Sequence, residues 1–303
     1  MRLIKSLNSR TDDTVKYQFV TKDNHMIEAC VVFFDLEKAS VNICVSNQVG
    51  CMCQCAFCAT GSRGFVRNLN VDEIKFQVES ILSQLSYKKN DYYFEITYMG
   101  TGEPLYNFEN VINSAKVFSS HYSNLVRINI STVFPDIYNN YQLIQDVQCP
   151  VHFQYSMHFC TDNMREKYIG KHLLPISRAL KELERISTKY DDKFCVNYIL
   201  FQDLNDSIVD AQELINLLKP FNAYLKISEY CPIDNGILKK SNNKDSFISR
   251  IKNSHIQYKT FTSKGIDIKA ACGHLISDVF FSGLFFRFIF IIIVCYFVSF
   301  TCN

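Results

Sequence analysis

Four cysteines fall within eight residues of this chain, at Cys51, Cys53, Cys55 and Cys58. Cys51, Cys55 and Cys58 form a C-x3-C-x2-C spacing. Three thiolates on one short loop can hold three irons of a [4Fe–4S] cube and leave the fourth iron open. An open iron beside an S-adenosylmethionine (SAM) site is how radical chemistry is started, so the loop points to an enzyme. A structural zinc site would need a second cysteine or histidine pair downstream, and none follows at a suitable distance. A disulfide framework is disfavoured too. The count of 13 cysteines is odd, no signal peptide precedes them, and 303 residues can bury a core without staples. Cys53 is the surplus thiol. An extended C-x-C segment turns neighbouring side chains to opposite sides, which makes Cys53 a bystander.

Length suits one large α/β domain with modest additions. The net charge of +2 creates no overall field for nucleic acid, although local basic stripes remain possible. Cys30, Cys149, Cys160, Cys195 and Cys231 fall in apolar stretches and read as small buried hydrophobes in a reducing cytosol.

Short apolar runs alternate with helical patterns. Residues 31–34 and 41–44 read as strands leading into the cysteine loop, and about 15 residues precede the first strand of the chain, which is expected near Lys16. Asn70 caps a helix whose apolar positions Val71, Ile74, Val78, Ile81, Leu82 and Leu85 follow a 3.6-residue period. Strands are expected over 93–99, 126–130, 151–155, 195–200 and 223–227. Helices are expected over 108–119, over 176–187, from a cap at Asp206 to Pro220, and from 247 to 253. Regular β-α alternation with apolar strands means a parallel sheet covered by helices. A partial or full (β/α) barrel fits, with a doubly wound open sheet as its rival.

Polar groups gather at the strand ends. Gly100, Gly102 and Glu103 follow one strand, Ser131 and Thr132 the next, and Ser156, Met157 and His158 the one after. The glycines let backbone approach a ligand, and Glu103 suits an ammonium group or hydroxyls, though a plain strand-to-helix turn uses the same residues. Three such groups in register fit a small-molecule site at a barrel mouth.

The string from Cys44 to Cys51, then Cys55-Ala-Phe-Cys58-Ala-Thr-Gly61 and Gly64-Phe-Val-Arg67-Asn-Leu69, resembles the RlmN/Cfr-type radical SAM methyltransferases, which methylate an adenine of large ribosomal RNA. The likeness continues in Met99-Gly-Thr-Gly-Glu-Pro-Leu-Tyr-Asn107, Ser156-Met-His158, Leu204-Asn-Asp206 and Asp267-Ile-Lys-Ala-Ala-Cys272-Gly-His-Leu275, in order over nearly the whole chain. It implies a partial (β/α) barrel of the radical SAM type. The core would span residues 44–278, after a short N-terminal β extension over 1–43 and before a hydrophobic tail over 279–303. It implies that Cys51, Cys55 and Cys58 bind the [4Fe–4S] cluster, and that Gly102, Glu103, Ser131, Ser156, Met157 and His158 bind SAM. Cys231 stands where the family shows a SAM-contacting asparagine, with Asn235 as a displaced substitute. Cys272 matches the cysteine that is methylated, Cys44 the second catalytic cysteine, and Glu28 a glutamate assigned as proton acceptor.

The resemblance also implies a reaction. An aromatic C–H carbon of adenine is not a nucleophile towards a SAM methyl group. Cys272 therefore first takes a methyl by displacement. A second SAM supplies a radical that removes hydrogen from that S-methyl group, and the carbon radical adds to the ring. Glu28 takes the ring proton. Cys44 then releases the product, leaving a Cys44–Cys272 disulfide to be reduced. The expected substrate is ribosomal RNA with an adenine modified at C2 by default, and transfer RNA as a further candidate. An electron donor such as a flavodoxin or ferredoxin is implied, and the enzyme is expected to be a cytoplasmic monomer. Family members usually carry an N-terminal RNA-holding domain, so here RNA binding is expected to rest on the core, through Arg63, Arg67, Arg165 and Lys171. Residues 279–302 are overwhelmingly apolar with Arg287 their only charge, and suit a membrane anchor, an interfacial tail or a frameshifted end. The competing reading is a retargeted or non-catalytic cluster protein of the same fold.

Overall fold

A computed structural model describes residues 1–35, 40–85, 92–188, 193–234, 236–276 and 278–279. The hydrophobic tail beyond residue 279 and Asn235 lie outside the described residues, and so does any membrane role for the tail. Among the described residues no helix is long and apolar enough to cross a membrane.

The strands are β1 (Arg2–Asn8), β2 (Val15–Val20), β3 (His25–Asp35), β4 (Ser40–Val45), β5 (Gln48–Gly50), β6 (Phe65–Asn68), β7 (Tyr93–Tyr98), β8 (Leu125–Thr132), β9 (Val151–Ser156), β10 (Phe194–Leu200), β11 (Ala223–Glu229), β12 (Tyr258–Phe261) and β13 (Asp278–Val279). The helices are α1 (Val71–Gln84), α2 (Phe108–His121), α3 (Asp162–Tyr168), α4 (Ile176–Thr188), α5 (Ile208–Leu218) and α6 (Lys244–Lys252). The expected first strand is preceded by another, because β1 already pairs antiparallel with β2.

Strand order decides between the rival architectures. From β4 the neighbours run β4-β7-β8-β9-β10-β11-β12, each pair parallel and in chain order. A doubly wound sheet reverses its order at a switch point; this one winds in a single direction. No β12–β4 pairing joins the two ends of the run among the described residues. The barrel is therefore partial. The antiparallel β1, β2 and β3 extend the same sheet beyond β4, and β13 pairs with β3.

The helices form because their apolar positions recur on one face. In α1, Ile74, Val78 and Ile81 are fully buried, and Asn70 and Glu73 close a capping box at its start. At α5 the cap is Ser207 rather than Asp206: the Ser207 side chain accepts the Asp210 N–H, while the Asp206 carboxylate accepts the Asp203 N–H and the Ser241 hydroxyl. Strand residues facing the helices, such as Phe94, Ile96, Tyr98, Ile128, Ile130, Val196 and Tyr198, are almost wholly buried. Their neighbours on the concave side are polar instead, with Asn42, Thr97, Asn129, Gln154, Asn197 and Lys226 lining cavities. A barrel that must hold ligand and solvated groups keeps its inner face polar, while the outer face builds the core.

Candidate active site

Four segments converge at the C-terminal ends of the parallel strands. The cysteine loop leaves a small hairpin of β5 and β6, in which Gln48 faces Asn68 and Gly50 faces Phe65. The loop after β7 clamps this hairpin: the Thr101 carbonyl accepts both the Asn47 and Gln48 N–H groups, and the Asn107 amide donates to the Asn47 and Leu69 carbonyls. The C-terminal segment is pinned on the other side. The Gly273 carbonyl accepts the Ala59 N–H at 2.7 Å, and Thr60 donates to the Leu275 carbonyl at 2.6 Å. These bonds carry Cys272 to the cysteine loop across more than two hundred residues of chain.

A first cavity, with about 1090 Å³ of space open to solvent, is lined by Cys51, Cys53, Cys55 and Cys58. Gly102, Glu103, Ser131, Ser156, His158, Cys231 and Cys272 line it as well. Burial raises the Cys55 and Cys58 thiols, and charge on neighbouring thiols raises them further. Three thiols crowded so that each thiolate penalises the next form a donor set that a cationic cluster relieves. The residues present thus fit a [4Fe–4S] cluster held by Cys51, Cys55 and Cys58. Among the described residues no three His, Cys, Asp or Glu side chains converge as ligands of one metal ion. Cys53 departs from the opposite-side expectation: it lines the same cavity, its N–H lies 3.4 Å from Cys51 Sγ, and its own thiol is held protonated by its contact with Cys51 and by burial. The loop is curled, so the alternation of an extended strand does not apply.

Glu103 is buried and accepts from Thr132 Oγ1 at 2.5 Å and from the Leu105 and Val133 N–H groups at 3.0 Å. Burial nevertheless raises its carboxyl to about 7. The Ser131 and Ser156 hydroxyls lie 3.2 Å apart. His158 adopts φ 58° at the turn after β9, and its Nδ1 accepts the Ile199 N–H at 3.3 Å. Burial lowers it to about 3, so its imidazole is neutral. Asn205 holds that turn by donating to the His158 and Ile199 carbonyls, which explains the Leu204-Asn-Asp206 string. Met157 is buried in the main core and its side chain does not reach the cavity, since the turn sends alternate residues to opposite sides.

A second cavity adjoins the first. Cys30, Cys44, Asn42, Glu95, Arg127 and Lys259 line it, and it shares Met99, Lys226, Phe261, Cys272 and Leu275 with the first. Cys44 Sγ lies 3.5 Å from Asn42 Oδ1, and Cys272 Sγ 3.8 Å from Met99 Sδ. Cys44 is lowered, first by a hydrogen bond from Cys30 and then by the Lys226 charge. Cys272 is raised by the atoms packed around its recess, with Lys226 acting in the opposite sense. Its sulfur is still open to the cavities. The cysteines of the described residues are free thiols, and no disulfide joins Cys44 to Cys272.

Glu28 lines neither cavity. Its carboxylate pairs with Lys16 at 3.1 Å and accepts from Gln18 and from the Ile276 N–H. Two of the arginines expected to hold RNA are committed elsewhere. Arg165 is buried, donating to the Val133 and Leu174 carbonyls, and Arg67 pairs with Asp23 and Glu73. Sequence reasoning missed Lys226, although a lysine inside an otherwise apolar parallel strand was a readable signal.

No family model matches the chain. It is 32% identical over 281 residues to a protein of Protochlamydia amoebophila named "Probable dual-specificity RNA methyltransferase RlmN 2", covering 91% of this chain and 77% of that one. A Thermotoga neapolitana protein, "Probable dual-specificity RNA methyltransferase RlmN", is 31% identical over 288 residues and covers 91% and 79%. Among solved structures, a radical SAM methyltransferase from Sphaerobacter thermophilus superposes with a TM-score of 0.78 at 25% identity, over 90% of this chain and 80% of that one.

Proposed function

The chain belongs to the RlmN family of dual-specificity RNA methyltransferases, and from that premise we propose that it methylates an adenine ring carbon of RNA through a methyl group carried on Cys272. The default target is C2 of an adenine in 23S ribosomal RNA, with transfer RNA as the second substrate. The observation that carries this reading is the placement of Cys272 in the walls of both cavities. One sulfur at a junction can take a methyl from a donor on one side and present it to an acceptor on the other.

In the first cavity Cys51, Cys55 and Cys58 would hold the cluster, whose chemistry when bound would be one-electron reduction of SAM. Glu103 faces the SAM ammonium group, the Ser131 and Ser156 hydroxyls its polar edges, and neutral His158 completes the wall without adding a like charge. Gly102 brings backbone close to the ligand at φ 111°, a conformation that favours glycine. Cys272, whose burial raises its thiol while Lys226 partly offsets that rise, accepts the methyl by displacement. The second cavity takes the target adenosine, with Arg127, Lys226 and Lys259 available to its phosphates. The base must leave its stack to enter. Cys44, kept low in pKa by Cys30 and Lys226, is the nucleophile that releases the product from Cys272. Glu28 is the proposed acceptor of the ring proton, its carboxylate being held in the free protein by Lys16, Gln18 and the Ile276 N–H. Met52, Phe65 and Val66 expose apolar surface beside the cluster loop, where a flavodoxin or ferredoxin would approach a monomeric enzyme in a reducing cytosol.

Anaerobic reconstitution with SAM, followed by peptide mass spectrometry, should find a methyl on Cys272. The Cys44→Ala variant, incubated with total cellular RNA, should accumulate a covalent Cys272–RNA adduct, whose bound sequence identifies the substrate. An intact cluster with no methyl on Cys272 would defeat the proposal in favour of a non-catalytic cluster protein.

A further inference from the structure

The second cavity holds a thiol that the proposed reaction does not use. Cys30 lies on β3 directly opposite Cys44 on β4. Directly opposed residues of an antiparallel pair have Cα atoms about 4.5–5.5 Å apart, inside the span a disulfide accepts. Cys30 is 3% exposed, with its Sγ 3.8 Å from the Ala270 carbonyl, two residues before Cys272. Cys30, Cys44 and Cys272 thus share one cavity wall, with Cys44 paired across the strands to Cys30.

We propose that Cys30 is a resolving thiol, which attacks the Cys44–Cys272 disulfide at Cys44 and returns Cys272 to its methyl-accepting state. This rests on the catalytic reading above. The Cys30 thiolate bonds to Cys44 Sγ, the Cys44–Cys272 bond breaks, and Cys272 leaves as a thiolate that takes up the proton Cys30 gave away. The exchange neither consumes nor releases electrons. An external dithiol then reduces the Cys30–Cys44 bond with two electrons and two protons and becomes a disulfide itself.

The thiol chemistry favours this direction. In the reduced protein the Cys44 thiol opposite and burial together hold the proton on Cys30. Once Cys44 is tied into a disulfide the first of these is gone, and Cys30 ionises more readily at the moment a nucleophile is needed. The exchange also frees the methyl-accepting partner. Cys272 must face SAM in the first cavity, whereas Cys30 and Cys44 are strand residues that can remain paired while the next methyl is loaded.

The test uses the full chain, anaerobically reconstituted and equilibrated in a glutathione redox buffer without RNA or SAM. It is then trapped with N-ethylmaleimide and mapped by peptide mass spectrometry. The expected major linkage is Cys30–Cys44 with Cys272 alkylated; in Cys30→Ser that peptide is lost and the linkage shifts to Cys44–Cys272. A major Cys44–Cys272 or Cys231–Cys272 linkage in the unsubstituted protein, with Cys30 alkylated, would overturn the proposal and leave the catalytic reading intact. A second mapping after one turnover with RNA should show the same Cys30–Cys44 linkage. Absence of methylated RNA in that arm would instead overturn the catalytic reading, and the resolving role with it.

Discussion

Replacing Gly50 with alanine tests how tightly the cysteine loop is built. Gly50 precedes Cys51 and adopts φ 76°. A Cβ added there would stand 1.9 Å from the Gly64 carbonyl oxygen, where real Cβ atoms essentially never come within 3.0 Å. β6 would have to withdraw by about an ångström. The oxygen it would move accepts the Cys51 N–H at 2.9 Å, so the displacement breaks the bond that starts the cluster loop. The left-handed conformation costs a non-glycine residue about 1–2 kcal/mol. The lost hydrogen bond adds about 0.5–1.5 kcal/mol. Gly50→Ala should therefore destabilise the protein by about 1.5–3.5 kcal/mol and lower the iron retained after reconstitution. Gly64→Ala is the internal control. It has a similar φ of 73° but nothing within 4 Å of the added Cβ, so only the conformational cost of about 1–2 kcal/mol applies. Urea denaturation and iron analysis of both variants measure the difference. Equal midpoints with full iron in Gly50→Ala would refute the steric reasoning.

Glu103, raised to about 7 from 4.5, is stabilised in its protonated form. Its contribution to the SAM-free protein is present below about pH 4.5 and lost as pH rises through about 7, and Glu103→Gln should flatten that slope in thermal denaturation. SAM binding, which pairs an ammonium with the ionised carboxylate, should tighten over the same interval when followed by calorimetry. Lys226→Met removes the cation that favours thiolate at both Cys44 and Cys272, so the acid limb of the kcat/KM profile should move to higher pH, and an unmoved limb would dismiss the role. Lys16→Met leaves the Glu28 carboxylate, 1% exposed, without its counter-ion and should cost about 3–5 kcal/mol in denaturant unfolding, most of it recovered in Lys16→Met/Glu28→Gln.

The parts of the fold that depend on local periodicity were legible in the chain. The 3.6-residue pattern and the Asn70 cap located α1, and apolar runs located the parallel strands, because burial imposes its period on any sequence that folds. β1 is not legible in the sequence, because its exposed and half-buried residues show no apolar run. Cys51, Cys55 and Cys58 could be read as a ligand set because thiols close in sequence are close in space whatever the fold. Arg67 and Arg165 could not be judged that way. An arginine on a surface and one locked to carboxylates or carbonyls look alike until the partners, which come from other segments, are in place.

The chain by itself therefore determined the parallel α/β class, the cysteine triad and the family motifs, all of which rest on short-range spacing. Only the tertiary structure decided that the barrel winds one way without closing among the described residues, that Lys226 overlooks both cavities, and that Cys272 arrives at the wall they share. It also set Cys30 opposite Cys44, because register between β3 and β4 is a property of paired strands and not of either strand alone.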